Sequence, residues 1–143
     1  MRVLRTLDGI TYWTLEDPAE IAELVNVHVR KEWESDSMFE GKDPKRSRWL
    51  LSLSSRQWRL EVVSMQEIKL SQEIMNYSDK KTGYDFRAHL RERERELREE
   101  IEEDGAIIWP VILRHEDRQL VDGYCRYFAL KNMDIKSTYA YIG

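Results

Sequence analysis

Residues 119–130 read Gln119-Leu-Val-Asp-Gly-Tyr-Cys-Arg-Tyr-Phe-Ala-Leu130, and they are the most informative stretch of the chain. Leu120-Val121 predicts the end of a short buried strand, and the Asp122-Gly123 pair that follows is a turn signal. From Tyr124 to Lys131, aromatic and aliphatic residues recur at helical spacing. The stretch therefore predicts a strand that turns tightly into a helix, with Arg126 in the first turn of that helix.

Such a junction favours an anion-binding site. The backbone N–H groups and the dipole at a helix start attract negative charge. Gly123 would let a ligand approach the backbone, and Arg126 could donate two parallel hydrogen bonds to a phosphate. A strand-to-helix junction with an ordinary surface arginine fits the same pattern, because glycine is common at helix starts. The local pattern leaves both interpretations open.

The segments around the junction follow one another in a recognisable order. A helix that ends at Gly105 is followed by a Pro-Val-Ile strand within 106–113, a polar turn at 115–118, the junction itself, and a last strand within 133–142. This order resembles the ParB/sulfiredoxin superfamily, in which a Gly-x-x-Arg helix start follows such a hairpin. Upstream, residues 58–71 resemble the opening strand of that group, so the resemblance covers residues 58–143.

The resemblance implies an α/β (α+β) fold, a small mixed sheet with covering helices at 58–143. Residues 1–57, which the resemblance does not cover, are expected to form an N-terminal helical extension that packs on this domain. The resemblance also implies a stand-alone domain that binds a nucleotide (ATP, ADP or CTP) or another phosphorylated molecule, with phosphotransfer and Mg²⁺ as further expectations. The phosphate-binding residues would be those of the junction, namely Asp122, Gly123, Tyr124, Cys125 and Arg126.

Glu73 is the candidate catalytic residue, in the polar loop at 71–83. In archaeal free-serine kinases of this superfamily a Glu in this region is the base, and the helix start reads Asp-Gly-x-x-Arg, similar to Asp122–Arg126. A Glu beside bound phosphates could accept a hydroxyl proton or hold Mg²⁺. An ordinary loop carboxylate is the alternative for this residue.

Two other branches of the superfamily fit less well. Sulfiredoxin has its reactive Cys directly after the Gly, where this chain has Tyr124; Cys125 comes one residue later, a rotation of about 100° around a helix. We therefore expect Cys125 to be an unreactive, partly buried thiol. Partition proteins carry an Arg-Arg pair and then a helix-turn-helix domain, whereas only Arg126 is present and the sequence ends after the last predicted strand. A partition protein is therefore not expected.

Composition limits the remaining choices. The chain has 143 residues, 35% of them charged, with a net charge of −4, which indicates a folded soluble domain without an overall basic character. Its longest apolar run, Ala106–Leu113, is eight residues long and contains Pro110, too short for a membrane span. No secretory signal is visible, and Cys125 is the only cysteine, so a cytoplasmic protein is expected.

One segment is strongly basic. Residues 41–60 contain six Lys and Arg side chains and a single Asp, with Trp49 and Trp58 among them. This patch suggests an alternative partner, nucleic acid, and an alternative function as a ParB-like nuclease or DNA-modification accessory factor. Core tryptophans and arginines paired with acidic neighbours explain the same composition.

The remaining elements follow from capping and periodicity. Asp17-Pro18 predicts the start of a helix that runs to about Glu34, with His28 on its apolar face as a packed or partly exposed histidine rather than a metal ligand. A short helix and turn are predicted at 46–58. The longest predicted helix, 87–104, carries a narrow apolar stripe among dense Arg and Glu and is expected to lie on the outside of the domain.

Overall fold

The structure, a computed structural model, describes residues 1–30 and 52–143. In these two ranges the chain forms strands and helices in the following order: β1 (Val3–Leu7), β2 (Ile10–Thr14), α1 (Pro18–Val25), β3 (Arg59–Ser64), α2 (Gln72–Met75), β4 (Ser78–Asp79), β5 (Tyr84–Asp85), α3 (Phe86–Asp104), β6 (Val111–Leu113), β7 (Leu120–Asp122), α4 (Tyr124–Asn132) and β8 (Ser137–Ile142). The long helix begins one residue before the predicted range 87–104, and β6, β7, α4 and β8 form within the segments predicted to contain them. The segment 71–83, predicted as a loop, is corrected: it contains α2 and β4.

The central sheet has the strand order β3-β8-β6-β7. β6 and β8 run parallel, whereas β8 pairs with β3 and β6 pairs with β7 in antiparallel fashion. The predicted α/β class, with a mixed sheet and covering helices, is therefore confirmed.

Both faces of this sheet are buried. Val111 and Leu113 pack into the larger core, together with residues of α3 and α4, whereas Ile112 between them packs with α1 on the other face. Tyr141 of β8 also belongs to the second core and is fully buried. Because successive side chains of a strand point to opposite faces, short runs of apolar residues serve both cores.

The N-terminal segment begins with a β-hairpin rather than a helix. Asp8 and Gly9 connect β1 to β2 with φ of 52° and 80°, and positive φ at both positions is typical of a tight type I′ hairpin turn. The expected helical extension at 1–57 is thus corrected for residues 3–14. The hairpin joins the core through Ile108, whose carbonyl accepts from Trp13 N at 2.9 Å and whose N–H donates to Thr11 O at 3.1 Å.

Other parts of the N-terminal prediction are only partly described. The helix predicted from Asp17-Pro18 begins at Pro18 as α1 and continues as a π-helical turn, Asn26–Arg30; its predicted end near Glu34 lies outside the described residues. Of the predicted helix at 46–58, the described part contains a 3₁₀ turn at Leu53–Ser55. Trp49 and most of the basic segment also lie outside the described residues.

Helix α3 is bounded by clear caps. The Asp85 side chain accepts a hydrogen bond from Ala88 N at 3.2 Å, and Gly105, at φ 64°, ends the helix in a left-handed conformation. Its buried stripe includes Leu90 and Ile101, and Glu94 is buried with them. In the described ranges, no helix has the length and apolar character that a bilayer crossing requires.

Candidate functional site

The strand-to-helix junction forms as the sequence predicts. β7 ends at Asp122, Gly123 adopts φ 106° and ψ 29°, and α4 begins at Tyr124. Glycine adopts such positive φ values readily, whereas other residues do not. The chain can therefore reverse within one residue and direct the first turn of α4 back over the sheet.

Arg126 is held by three internal contacts. Its Nη1 donates to the carbonyl oxygens of Trp109 and Pro110, each at 3.0 Å, and its Nη2 donates to Asp122 Oδ2 at 3.2 Å. The Arg126 side chain is 18% exposed and that of Asp122 is 29% exposed. The guanidinium therefore links α4 to the segment that leads into β6, and in this state it is paired with a carboxylate.

The space that Gly123 leaves open is filled by this same guanidinium. A Cβ atom at Gly123 would lie 2.8 Å from Arg126 Nη2 and 2.9 Å from Val111 Cγ1. The sequence suggested that the glycine makes room for a ligand, whereas in the structure it makes room for Arg126.

A cavity of about 310 Å³ opens beside this ion pair. Its walls are mainly apolar and come from α1, α3, β6 and the segment before β6: Leu24, Leu97, Ile108, Trp109, Pro110 and Ile112. Asp122 and Arg126 border the cavity, as does the exposed His28 of the π-helical turn that follows α1. The cavity therefore combines an apolar interior with one charged end.

Tyr124 has a structural environment. Its side chain is 7% exposed, and its hydroxyl donates to Leu120 O at 2.9 Å and accepts from Ser71 N at 3.0 Å. Tyr124 thus joins the start of the 71–83 segment to the start of α4. It can offer a ligand its backbone N–H more readily than its ring.

Glu73 lies in α2, two residues after Ser71, whose N–H donates to the Tyr124 hydroxyl. The side chain is exposed, and Glu73 does not line the cavity that Arg126 borders. Whereas Tyr124 contacts Ser71, Arg126 contacts Trp109 and Pro110. The structure therefore does not bring Glu73 and Arg126 together in that cavity, and the catalytic role of Glu73 stays a prediction.

Cys125 is half-buried, as the sequence predicts. Burial raises the pKa of its thiol, and the positive charges of Arg93 and Arg126 oppose this effect only in part. The thiolate is the reactive form of cysteine. The environment of Cys125 therefore disfavours a reactive thiol at neutral pH.

The described part of the basic segment is engaged internally. Arg56 pairs with Glu116 at 2.6 Å, and Arg59 pairs with Glu61. The ring of Trp58 is fully buried, and its Nε1 donates to Leu53 O at 3.1 Å. Trp58 is therefore a core residue rather than a base-stacking surface. Lys42, Lys45, Arg46 and Arg48 lie outside the described residues.

Sequence reasoning missed two contributions to the cavity. The carbonyls of Trp109 and Pro110 could have been suspected, because a proline in an apolar run interrupts strand pairing and leaves polar backbone groups for other partners. The sequence places His28 on the apolar face of the first predicted helix, but its spacing does not indicate which part of the domain that face contacts.

No protein-family model matches the sequence, and no curated protein matches it either. Among solved structures, a Pnob8-like ParB-N domain is similar to 59% of this chain, at 23% sequence identity and a TM-score of 0.42. The match spans 29% of that chain. The function therefore has to be inferred from the residues of this chain.

Proposed function

We propose that this protein is a ParB/sulfiredoxin-like domain that binds a nucleotide or another small phosphorylated molecule at the junction between β7 and α4. A phosphate group would bind Arg126 and the first turn of α4, and the organic part of the ligand would enter the adjoining cavity. The observation that carries the proposal is a cavity with apolar walls and a guanidinium at one end.

The cavity fits such a ligand in size and chemistry. Its volume of about 310 Å³ lies at the lower end of the range for small-molecule sites, which combine apolar walls with a few polar groups. Trp109 and His28 offer ring surfaces to a base. The guanidinium of Arg2 lies 5.2 Å from the centre of the Trp109 ring, which places a second positive charge near the cavity.

The Asp122–Arg126 ion pair makes the proposal more specific. Among the described residues, Asp122 is the carboxylate that pairs with Arg126, and an incoming phosphate must replace it at Nη2. A phosphate offers more charge and more acceptor oxygens than a carboxylate does, and it can therefore compete with Asp122 for Nη2. Asp122 therefore competes with the ligand for Arg126, although the two residues are adjacent parts of the same site.

This competition gives two variants of the same ion pair opposite effects. Arg126→Gln should abolish nucleotide binding. Asp122→Asn should tighten binding about fivefold, which corresponds to roughly 1 kcal/mol for one removed competing charge. If Arg126 only supported the fold, both changes would weaken binding or leave it unaffected.

The test is calorimetric titration with ATP, ADP and CTP, with and without Mg²⁺, after circular dichroism has shown that each variant is folded. Glu116→Gln is the matched control, because Glu116 pairs with Arg56 away from the cavity, and it should bind as the wild type does. Absence of binding at millimolar nucleotide, or equal binding by wild type and Arg126→Gln, would contradict the proposal.

Phosphotransfer is the extended form of this proposal. Its support is the hydrogen bond from Ser71 N to the Tyr124 hydroxyl, which attaches the segment with Glu73 to the start of α4. Glu73 would act as the base on an acceptor hydroxyl, with Mg²⁺ held mainly by the phosphates of the ligand.

A further inference from the structure

One carboxylate in the long helix is buried without a full set of partners. Glu94 is 5% exposed, and Arg98 Nε lies 2.9 Å from its Oε1, one turn further along α3. The geometry of this contact is not that of a hydrogen bond, and Oε1 accepts no hydrogen bond from the part of the chain that the structure describes. Buried carboxylates normally accept several hydrogen bonds, so Glu94 has unused acceptor capacity.

Arg114 shows how a buried charge is satisfied elsewhere in the same domain. It is 6% exposed, and it donates two hydrogen bonds to Asp117 and one to Gln119, at 2.7 to 3.0 Å. Compared with Arg114, Glu94 Oε1 has a charged neighbour, Arg98, but accepts no hydrogen bond from any of the described residues. This difference leaves acceptor capacity that a ligand can use.

Glu94 lines a second cavity, of about 190 Å³, between α2, α3 and α4. Met75, Leu90 and Phe128 provide its apolar wall. Arg87 and Arg91, which are about one helical turn apart on α3, also line it. Arg87 donates to Asn76 Oδ1 at 3.0 Å. The side chain of Arg91 is exposed.

We propose that this cavity binds a free α-amino acid with an aliphatic side chain. Its ammonium group would donate to Glu94, its carboxylate would bind Arg91, and its side chain would contact Leu90 and Phe128. A simple anion would be repelled by Glu94, and a simple cation would be repelled by the two arginines. A zwitterion with an apolar portion matches both charges and the wall between them.

This site is separate from the nucleotide site, because neither Asp122 nor Arg126 lines the second cavity. It can therefore be tested on its own, by NMR titration of the full chain with L-leucine. We expect saturable shifts at Leu90 and Phe128 and none at Ile108 and Trp109, which belong to the first cavity. Isocaproate lacks the ammonium group and isoamylamine lacks the carboxylate. Each should therefore bind at least about tenfold more weakly than leucine, as expected for a lost charged hydrogen bond.

Variants complete the test. Glu94→Gln keeps the size of the side chain and Arg91→Gln changes an exposed residue, and each should weaken leucine binding about tenfold. Glu99→Gln, at an exposed position of the same helix, should bind leucine as the wild type does. The proposal is overturned by an absence of shifts at Leu90 and Phe128 in millimolar leucine, by equal binding of either analogue, or by unchanged affinity in Arg91→Gln.

Discussion

Replacing Gly123 by alanine tests whether this glycine is required by the packing of Arg126. A residue with a side chain at φ 106° costs about 1–2 kcal/mol in backbone strain. The new Cβ would also lie 2.9 Å from Val111 Cγ1, and Val111 is fixed in β6, so overpacking adds about 1–3 kcal/mol. Alanine also restricts the unfolded chain more than glycine does, and this effect offsets about 0.4–1 kcal/mol of the destabilisation.

Together these contributions lower the free energy of unfolding by about 2–4 kcal/mol for Gly123→Ala. Gly105→Ala is the matched control, because Gly105 also has a positive φ, 64°, but a Cβ there would meet nothing within 4 Å. The control change should cost only about 1 kcal/mol, from backbone strain alone.

Urea unfolding of both variants and the wild type, followed by tryptophan fluorescence, gives the comparison, provided that the denaturant dependence is the same for all three. Gly123→Ala should also weaken nucleotide binding, because the new Cβ would lie 2.8 Å from Arg126 Nη2 and would displace the guanidinium. Equal destabilisation by the two alanine substitutions would refute the proposed role of the glycine.

Three further predictions concern single side chains. Hydrogen bonds from Arg114 hold the pKa of Asp117 below its ordinary value. The stabilisation by Asp117 is therefore present above the unfolded pKa of about 3.9 and is lost as the pH falls through the lower folded pKa. Asp117→Asn should be less stable than the wild type at neutral pH, and urea unfolding in acid should show this difference disappear. Because burial raises the pKa of the Cys125 thiol, iodoacetamide should alkylate Cys125 more slowly at neutral pH than it alkylates free cysteine. Cys125→Ser should keep the nucleotide affinity of the wild type. Rapid alkylation, or loss of nucleotide binding in a folded variant, would argue against an inert thiol. Glu73→Gln should leave nucleotide affinity unchanged and lower any phosphotransfer rate, and an unchanged rate would remove Glu73 as the base.

The parts of the fold that local sequence determines were predictable. Gly123, the aromatic spacing after it and the left-handed stop at Gly105 each specify a boundary by conformational preference alone. The hairpin at 3–14 carried a local signal too, Asp8-Gly9 between β-forming residues, but β1 has no clear alternation of apolar and polar side chains. The helical interpretation of the N-terminal segment therefore missed it.

The contacts within the candidate site depend on long-range packing, which local patterns do not specify. The carbonyl of Trp109, 17 residues from Arg126 along the chain, becomes its acceptor only when α4 folds back over the sheet. Glu94 shows the same limit in another form. Its position continues the apolar stripe of α3, but a charged residue in a dense Arg and Glu pattern is expected to face solvent. Its burial depends on the packing of α4 and α2 against α3.

Phosphate binding at Arg126 is tested most directly by a crystal structure of the protein grown with the nucleotide that it binds most tightly. We expect a phosphate oxygen within hydrogen-bond distance of Arg126 Nη2, in the place of Asp122 Oδ2, with the base in the cavity beside Trp109. A nucleotide whose phosphates instead bind Arg56 and Arg59, while Arg126 keeps its three internal contacts, would contradict this expectation.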